Sequence, residues 1–524
     1  MKRIAIGLAT GAASGFAATL AFPPLAAWPL AWVALVPLFL LVDAREGRRL
    51  VAPFFAYSLA HFGTGMAWLS PVVTPVGVLL LSLTIWVLFH FPLSLILGFL
   101  VRRGLPLWGV APLAWVAFDW LRTWILTGLP WLFLAHSQAD ATTVIQVADV
   151  TGAFGITALI VLVNGAIAAT IRAVRGGEGR RAFRPAAVAA ATLVAVLLYG
   201  AIRMGTVTHV DGPRVLLVQA CIEQGRKREV RGGSGRSVAG DIYGTHLKLT
   251  WDGVREHPDT DLVVWPETMF PFRVDDRPSA PSRHRREIRR LHREVATAAG
   301  GRPVLFGTLL TTETGESRNS VIQVDADGNR VARYDKRYTV PGGEHVPLYT
   351  VMPAWFTKTV GEAIARHSGY FPDLTEGEGP VVFTAGDARF APLICYEIIY
   401  PEIVREAMPL EPQVLLNLSN YAWYPDTHQP EQAEDITIFR AVENRRPVVV
   451  SANNGISSII DARGEVRAAL GRDVVGVLAD SVPLTAAGSV FARIGDVFAW
   501  IAAAMTLLLL ACKLYWRRCG GAPT

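Results

Sequence analysis

Long apolar runs fill both ends of the chain, while a central block breaks into short apolar runs cut by charged and turn residues. Runs long enough to cross a bilayer core of about 30 Å lie at 4–21, 25–42, 51–70, 76–100, 106–126, 152–171 and 186–204, with an eighth at 494–515. The first carries Gly7, Gly11 and Gly15 on one helical face, which lets helix backbones approach closely. Lys2 and Arg3 ahead of it would also suit a signal peptide, but the spans that follow need this one to complete the topology.

The central block, roughly 210–488, reads as α/β. Strands of the buried type are expected at 214–220, 261–265, 303–310, 414–418 and 447–451, and an arginine- and glutamate-rich helix at 283–299. The stretches 320–336 and 457–470 each hold a turn signal, Asp327-Gly328 and Arg463-Gly464, and both read as hairpins. Strands covered by helices, with a hairpin in each half, predict two sheets packed face to face with helical outer layers.

Composition supports a mixture. Hydrophobic residues are 51% and charged residues 18% of the 524, too apolar for a soluble enzyme and too charged for a bare helical bundle. A multi-domain chain is expected: a membrane domain of seven spans over 1–205, a catalytic block over 206–489, and an eighth span with a short tail over 490–524. The net charge of +6 does not point to nucleic acid, because the basic residues cluster at span ends. Lys2 and Arg3 precede the first span. Arg45, Arg48 and Arg49 follow the second, and Arg102 and Arg103 the fourth. Arg172, Arg175, Arg180, Arg181 and Arg184 follow the sixth, and Lys513, Arg517 and Arg518 the eighth. The positive-inside rule then places both termini in the cytoplasm and the central block outside it.

Four scattered cysteines do not make a disulfide framework, and no Cys or His pair has metal-ligand spacing, so neither a metal nor a cofactor is expected. Cys221 reads as a small buried residue, and Cys512 and Cys519 belong to the tail. Three residues follow apolar strands: Glu267 in Val-Val-Trp-Pro-Glu-Thr, Lys336 in Tyr-Asp-Lys-Arg-Tyr, and Cys395 in Leu-Ile-Cys-Tyr-Glu. Taken singly, each has an ordinary explanation: a helix-capping glutamate, a surface lysine, a packed cysteine. Together they have a chemical logic. A free thiol has a pKa near 8.5, so a carboxylate to take its proton and an ammonium to stabilise thiolate and oxyanion equip it for acyl transfer through a thioester.

These motifs, with Pro-Gly-Gly-Glu-His-Val-Pro at 341–347, resemble the nitrilase superfamily and its Glu-Lys-Cys triad. The membrane flanks narrow the resemblance to the apolipoprotein N-acyltransferase family. Gly-Leu-Pro-Trp-Leu at 128–132, Ser-Asn-Tyr-Ala-Trp-Tyr at 419–424, Arg440-Ala-Val-Glu443 and Asn453-Asn454-Gly455 are further similar stretches. The resemblance implies a four-layer αββα sandwich with Glu267 as base, Lys336 as oxyanion and thiolate stabiliser, and Cys395 as nucleophile. It also implies Glu344 as a second carboxylate, Tyr396 and Glu397 as support for the cysteine, and Trp423 as a supporting or substrate-binding residue. The implied donor is a phospholipid, phosphatidylethanolamine, and the acceptor is the α-amine of a diacylglyceryl-cysteine at a lipoprotein N-terminus. The implied place is the bacterial inner membrane, with the catalytic block on its periplasmic side. Departures fall at Lys227-Arg228, Tyr424-Pro425 and Asp119, and bear on loop contacts and substrate preference. The same triad would serve a membrane-anchored amidase or nitrilase, and a catalytically dead lipid-binding scaffold is a third reading. Met352, Trp355, Phe356, Val360 and Ile364 recur near helical spacing, which suits either a lid dipping into the outer leaflet or an amphipathic helix packed on the core.

Overall fold

The computed structural model describes residues 2–42, 50–177, 179, 183–231, 235–346, 352–368 and 373–518. Arg45, Arg48, Arg49, Arg180, Arg181, Pro347 and Cys519 lie outside the described residues, as do the side chains of Arg228, Arg517 and Arg518. Contacts divide the chain into two units. One is Met1–Thr206 with Thr427–Glu443 and Ser489–Thr524; the other is Val207–Asp426 with Asn444–Gly488.

The first unit is helical. Its opening helix, Lys2–Thr19, packs on Val51–Gly65 through the predicted small-residue face. A Cβ on Gly11 would lie 2.0 Å from the Pro53 carbonyl oxygen and one on Gly15 2.6 Å from that of Tyr57, so only glycine permits this approach. Among the described residues four helical runs are long and apolar enough to cross a membrane: Ala67–Arg102, Ala153–Arg175, Arg184–Thr206 and Val497–Tyr515. Trp28–Leu40 and Leu107–Leu121 are shorter apolar helices. The boundary expected between 70 and 76 is a kink: Thr74, at φ 65°, precedes Pro75, which disfavours helical geometry in the residue before it.

The Gly-Leu-Pro-Trp-Leu stretch is held by buried polar groups. Arg122 donates to the Trp131 carbonyl at 2.6 Å and pairs with Asp119 at 3.0 Å. Its guanidinium also faces the Phe62 and Phe133 rings at 4.9 and 4.6 Å. Gln432 Oε1 accepts from both Trp131 (2.7 Å) and Trp68 (3.1 Å), which explains why the helix Gln429–Asn444 groups with the helical unit although its sequence falls within the block 206–489.

The second unit contains two sheets. In chain order the strands are β1 (Val210–Gln219), β2 (Leu262–Val264), β3 (Val274–Asp275), β4 (Val304–Thr311), β5 (Ser317–Val324) and β6 (Arg330–Asp335). They continue with β7 (Phe383–Ala385), β8 (Ala388–Ile394), β9 (Val414–Ser419), β10 (Val448–Ala452), β11 (Ser457–Ile460), β12 (Val466–Leu470) and β13 (Gly476–Leu484). The first sheet runs β13-β1-β2-β4-β5-β6 with β3 beside β4; the second runs β12-β11-β10-β9-β8-β7. Each has a parallel trio, β1-β2-β4 or β8-β9-β10, followed by an antiparallel hairpin, β5-β6 or β11-β12. Both hairpins stand where the turn signals put them.

Alternation of side chains explains the layering. Val215, Leu217, Leu262, Val264 and Leu305 point from the first sheet into a core shared with Phe390, Val414, Leu416 and Val449 of the second. Their neighbours Leu216, Val218, Val263, Trp265, Val304 and Phe306 point the other way, against Ile242 and Tyr243 of the helix Gly235–Glu256 and Ile288, Leu291 and Val295 of Ser282–Ala298. Strands buried on both faces read as continuous apolar runs, which is what made them visible in the sequence.

Candidate active site

Three strands deliver the expected residues from their C-terminal ends. Glu267 follows β2 through Trp265 and Pro266. Trp265 is fully buried and donates to Thr250 Oγ1 at 2.9 Å. Gly307 on β4 lets the backbone pass closely, since a Cβ there would lie 2.6 Å from Glu267 Cα. The glutamate is buried and takes its hydrogen bonds from Asn319 and Lys336. Lys336 follows β6 and is 1% exposed, so it is no surface lysine. Its ammonium is 3.5 Å from Glu267 Oε1 and 2.8 Å from Glu344 Oε2. Glu344 is further tied by the Val340 N–H at 2.9 Å.

Cys395 follows β8 and opens a short helical turn, Cys395–Ile399, at φ 53°. A left-handed non-glycine residue is strained, and such strain concentrates at functional sites. Burial and the charge of Glu267 push the Cys395 thiol well above the ordinary range, while Lys336 and a hydrogen bond from the Asn420 N–H pull it down. Burial alone would push the Lys336 ammonium down; Glu344, Glu267 and Cys395 outweigh it and hold the group well above the ordinary lysine range. The Cys395 thiol thus lies within electrostatic reach of a carboxylate, which opposes its ionisation, and of an ammonium, which favours it.

Glu397 ties the lysine and cysteine segments together. It is fully buried and accepts from Tyr334 Oη (2.8 Å), the Arg337 N–H (2.6 Å) and the Tyr338 N–H (3.2 Å) on the Lys336 side. On the Cys395 side it accepts from the Ile394 N–H (2.7 Å). Burial raises the Glu397 carboxyl against the pull of those same backbone donors. Tyr396 Oη accepts from Tyr400 Oη at 2.9 Å and the two rings pack edge to face. Trp423 is half-buried in the turn Tyr421–Trp423, directly after Asn420. At the departure from the family pattern, Lys227 donates to Thr268 Oγ1, next to Glu267.

Two groups in this site carried no assigned role in the sequence. Asn420 acts on Cys395 through its backbone N–H, which leaves no side-chain signal. Asn319, on β5, bridges Glu267 and Glu344. An asparagine inside a hairpin strand is unremarked until the register is known.

Both parts of the chain are similar to known proteins. Residues 14–166 match the apolipoprotein N-acyltransferase N-terminal domain, and residues 222–490 the carbon-nitrogen hydrolase domain. The apolipoprotein N-acyltransferase of Geobacter metallireducens is 32% identical over 95% of this chain and 93% of its own length. That of Rhodopseudomonas palustris is 28% identical over 97% and 95%. Among solved structures, an amidase from Nesterenkonia sp. is 18% identical, covering 53% of this chain and 93% of its own with a TM-score of 0.35. By the identity to its Geobacter relative across nearly the whole of both chains, the chain belongs to the apolipoprotein N-acyltransferase family and carries that family's carbon-nitrogen hydrolase domain.

Proposed function

We propose that this enzyme moves a fatty acyl chain from a phospholipid, through a thioester on Cys395, to the N-terminal amine of a diacylglyceryl-cysteine lipoprotein. Cys395 Sγ attacks the ester carbonyl carbon while Glu267 takes the thiol proton. Lys336 stabilises the developing oxyanion. Collapse expels the lysophospholipid alkoxide, which recovers the proton from Glu267, and leaves the acyl-cysteine. The α-amine of the lipoprotein then attacks the thioester, Glu267 accepts its proton, and the amide forms as the thiol is restored. Glu344 keeps the Lys336 ammonium charged through its 2.8 Å contact, and Glu397 holds the cysteine turn against the lysine segment. Tyr396 supports the cysteine turn and is itself held by Tyr400, and Trp423 is a supporting or substrate-binding residue.

The observation that carries this reading is the convergence of Glu267, Lys336 and Cys395 at three strand ends, with the lysine buried against two carboxylates. A thioester survives only where water is kept away, and a phospholipid donor is met at a membrane. The four long apolar runs support a membrane-embedded enzyme, for which we propose eight spans, both termini cytoplasmic and the catalytic unit periplasmic. Phosphatidylethanolamine is the proposed donor. The amidase reading uses the same triad, but the match over residues 14–166 favours the acyltransferase.

Incubation with phosphatidylethanolamine vesicles tests the reading by intact mass. One acyl mass is expected on the wild type, none on Cys395→Ala, and discharge of the adduct by a diacylglyceryl-cysteine peptide. Ammonia release from simple amides, with no adduct from lipid, would establish the hydrolase instead.

A further inference from the structure

Asn319 is 2% exposed on β5, in the middle of the reactive cluster. Its side-chain amide spends both hydrogens on carboxylates, 2.7 Å to Glu267 Oε1 and 2.9 Å to Glu344 Oε1. Its backbone carbonyl accepts the Lys336 N–H at 2.8 Å. One residue thus touches the base, the second carboxylate and the backbone that presents the ammonium.

The other end of the amide sharpens the point. Asn319 Oδ1 is buried with no hydrogen-bond partner among the described residues. A buried acceptor without a donor is unfavourable, and an apolar side chain of the same size would avoid the cost. The donor end is what the site uses.

Glu267 Oε1 already receives N–H groups from Asn319 and Lys336, the latter at 3.5 Å, whereas Oε2 has no donor among the described residues. An oxygen engaged by donors is the weaker proton acceptor; the other one is the basic one. We infer that Asn319 is a positioning residue that leaves Glu267 Oε2 as the proton-accepting oxygen. This rests on the reading of Glu267 as the base.

The test uses the full chain in phosphatidylethanolamine vesicles and follows Cys395 acylation by intact mass across lipid concentration. Four proteins are compared: wild type, Asn319→Leu, Asn319→Thr and Glu267→Gln. Asn319→Leu is expected to slow acylation on the order of tenfold to a hundredfold, the size of a lost charge-assisted hydrogen bond. Half-saturation by lipid stays unchanged. Asn319→Thr, with one hydroxyl donor, falls between, and it decides the matter alone if the leucine variant does not fold. A folded variant that acylates at the wild-type rate overturns the proposal, as does one whose half-saturation by lipid rises in step with its loss of rate, the mark of a structural defect in lipid binding. Glu267→Gln acylating at the wild-type rate overturns the proposal together with the reading it rests on.

Discussion

On the proposed mechanism, thiol reactivity and catalysis at Cys395 respond to the same carboxylate in opposite directions. The charge of Glu267 raises the thiol and that of Lys336 lowers it. Glu267→Gln should therefore move iodoacetamide alkylation of Cys395 to lower pH while abolishing acyl transfer from lipid. Lys336→Met should move alkylation to higher pH and cost acyl transfer on the order of 10²–10³, the usual loss for an oxyanion-stabilising group. Alkylation and acylation rates measured side by side check both signs; Glu267→Gln slowing alkylation would contradict the electrostatic account. The triad was legible in sequence because each member ends an apolar strand, a pattern that exposes one aimed side chain at a time. Asn319 and Asn420 were not. The first acts through a partner set that only the β4-β5-β6 register creates, the second through its backbone.

Among the elements, the helix Ala354–Ser368 stands out. It begins with Trp355 at 70% exposure and carries Phe356, Val360 and Ile364 only half-buried. An indole left this exposed in water is unfavourable by roughly 25 cal/mol per Å² of its apolar surface, and a bilayer interface relieves that. The proposed role is a lid between the Lys336 and Cys395 segments that dips into the outer leaflet. Replacing Trp355 and Phe356 together by serine should slow acylation from vesicles several-fold while leaving the thermal unfolding midpoint within a few degrees. Unchanged acylation would remove the lid from the mechanism. The strands β1, β2, β4, β9 and β10 were legible because burial on both faces writes itself as apolar runs, and the two hairpins through their turn signals; β13, only partly buried, was not. The placement of Gln429–Asn444 was not, since its sequence is polar and its affiliation turns on Gln432 meeting two tryptophan N–H groups.

Over the whole molecule, hydropathy and charge support the proposed orientation. Lys and Arg gather at alternate span ends, and the last apolar helix, Val497–Arg518, runs into Lys513 and the arginines after it. Green fluorescent protein fused after residue 524 should fluoresce in cells and alkaline phosphatase fused there should be inactive; the reverse would invert the topology. The pairing of β13 with β1 has a consequence in time. Val210 pairs with Leu484, so the first strand of the catalytic unit waits for the last one. During synthesis β1 has an open edge, the sort that invites wrong pairing, until nearly the whole unit has been made. Sheets closed by such distant strands form slowly. The sheet that carries Glu267 and Lys336 is thus completed only after its last strand, shortly before the apolar helix Val497–Arg518 in the chain, has been made.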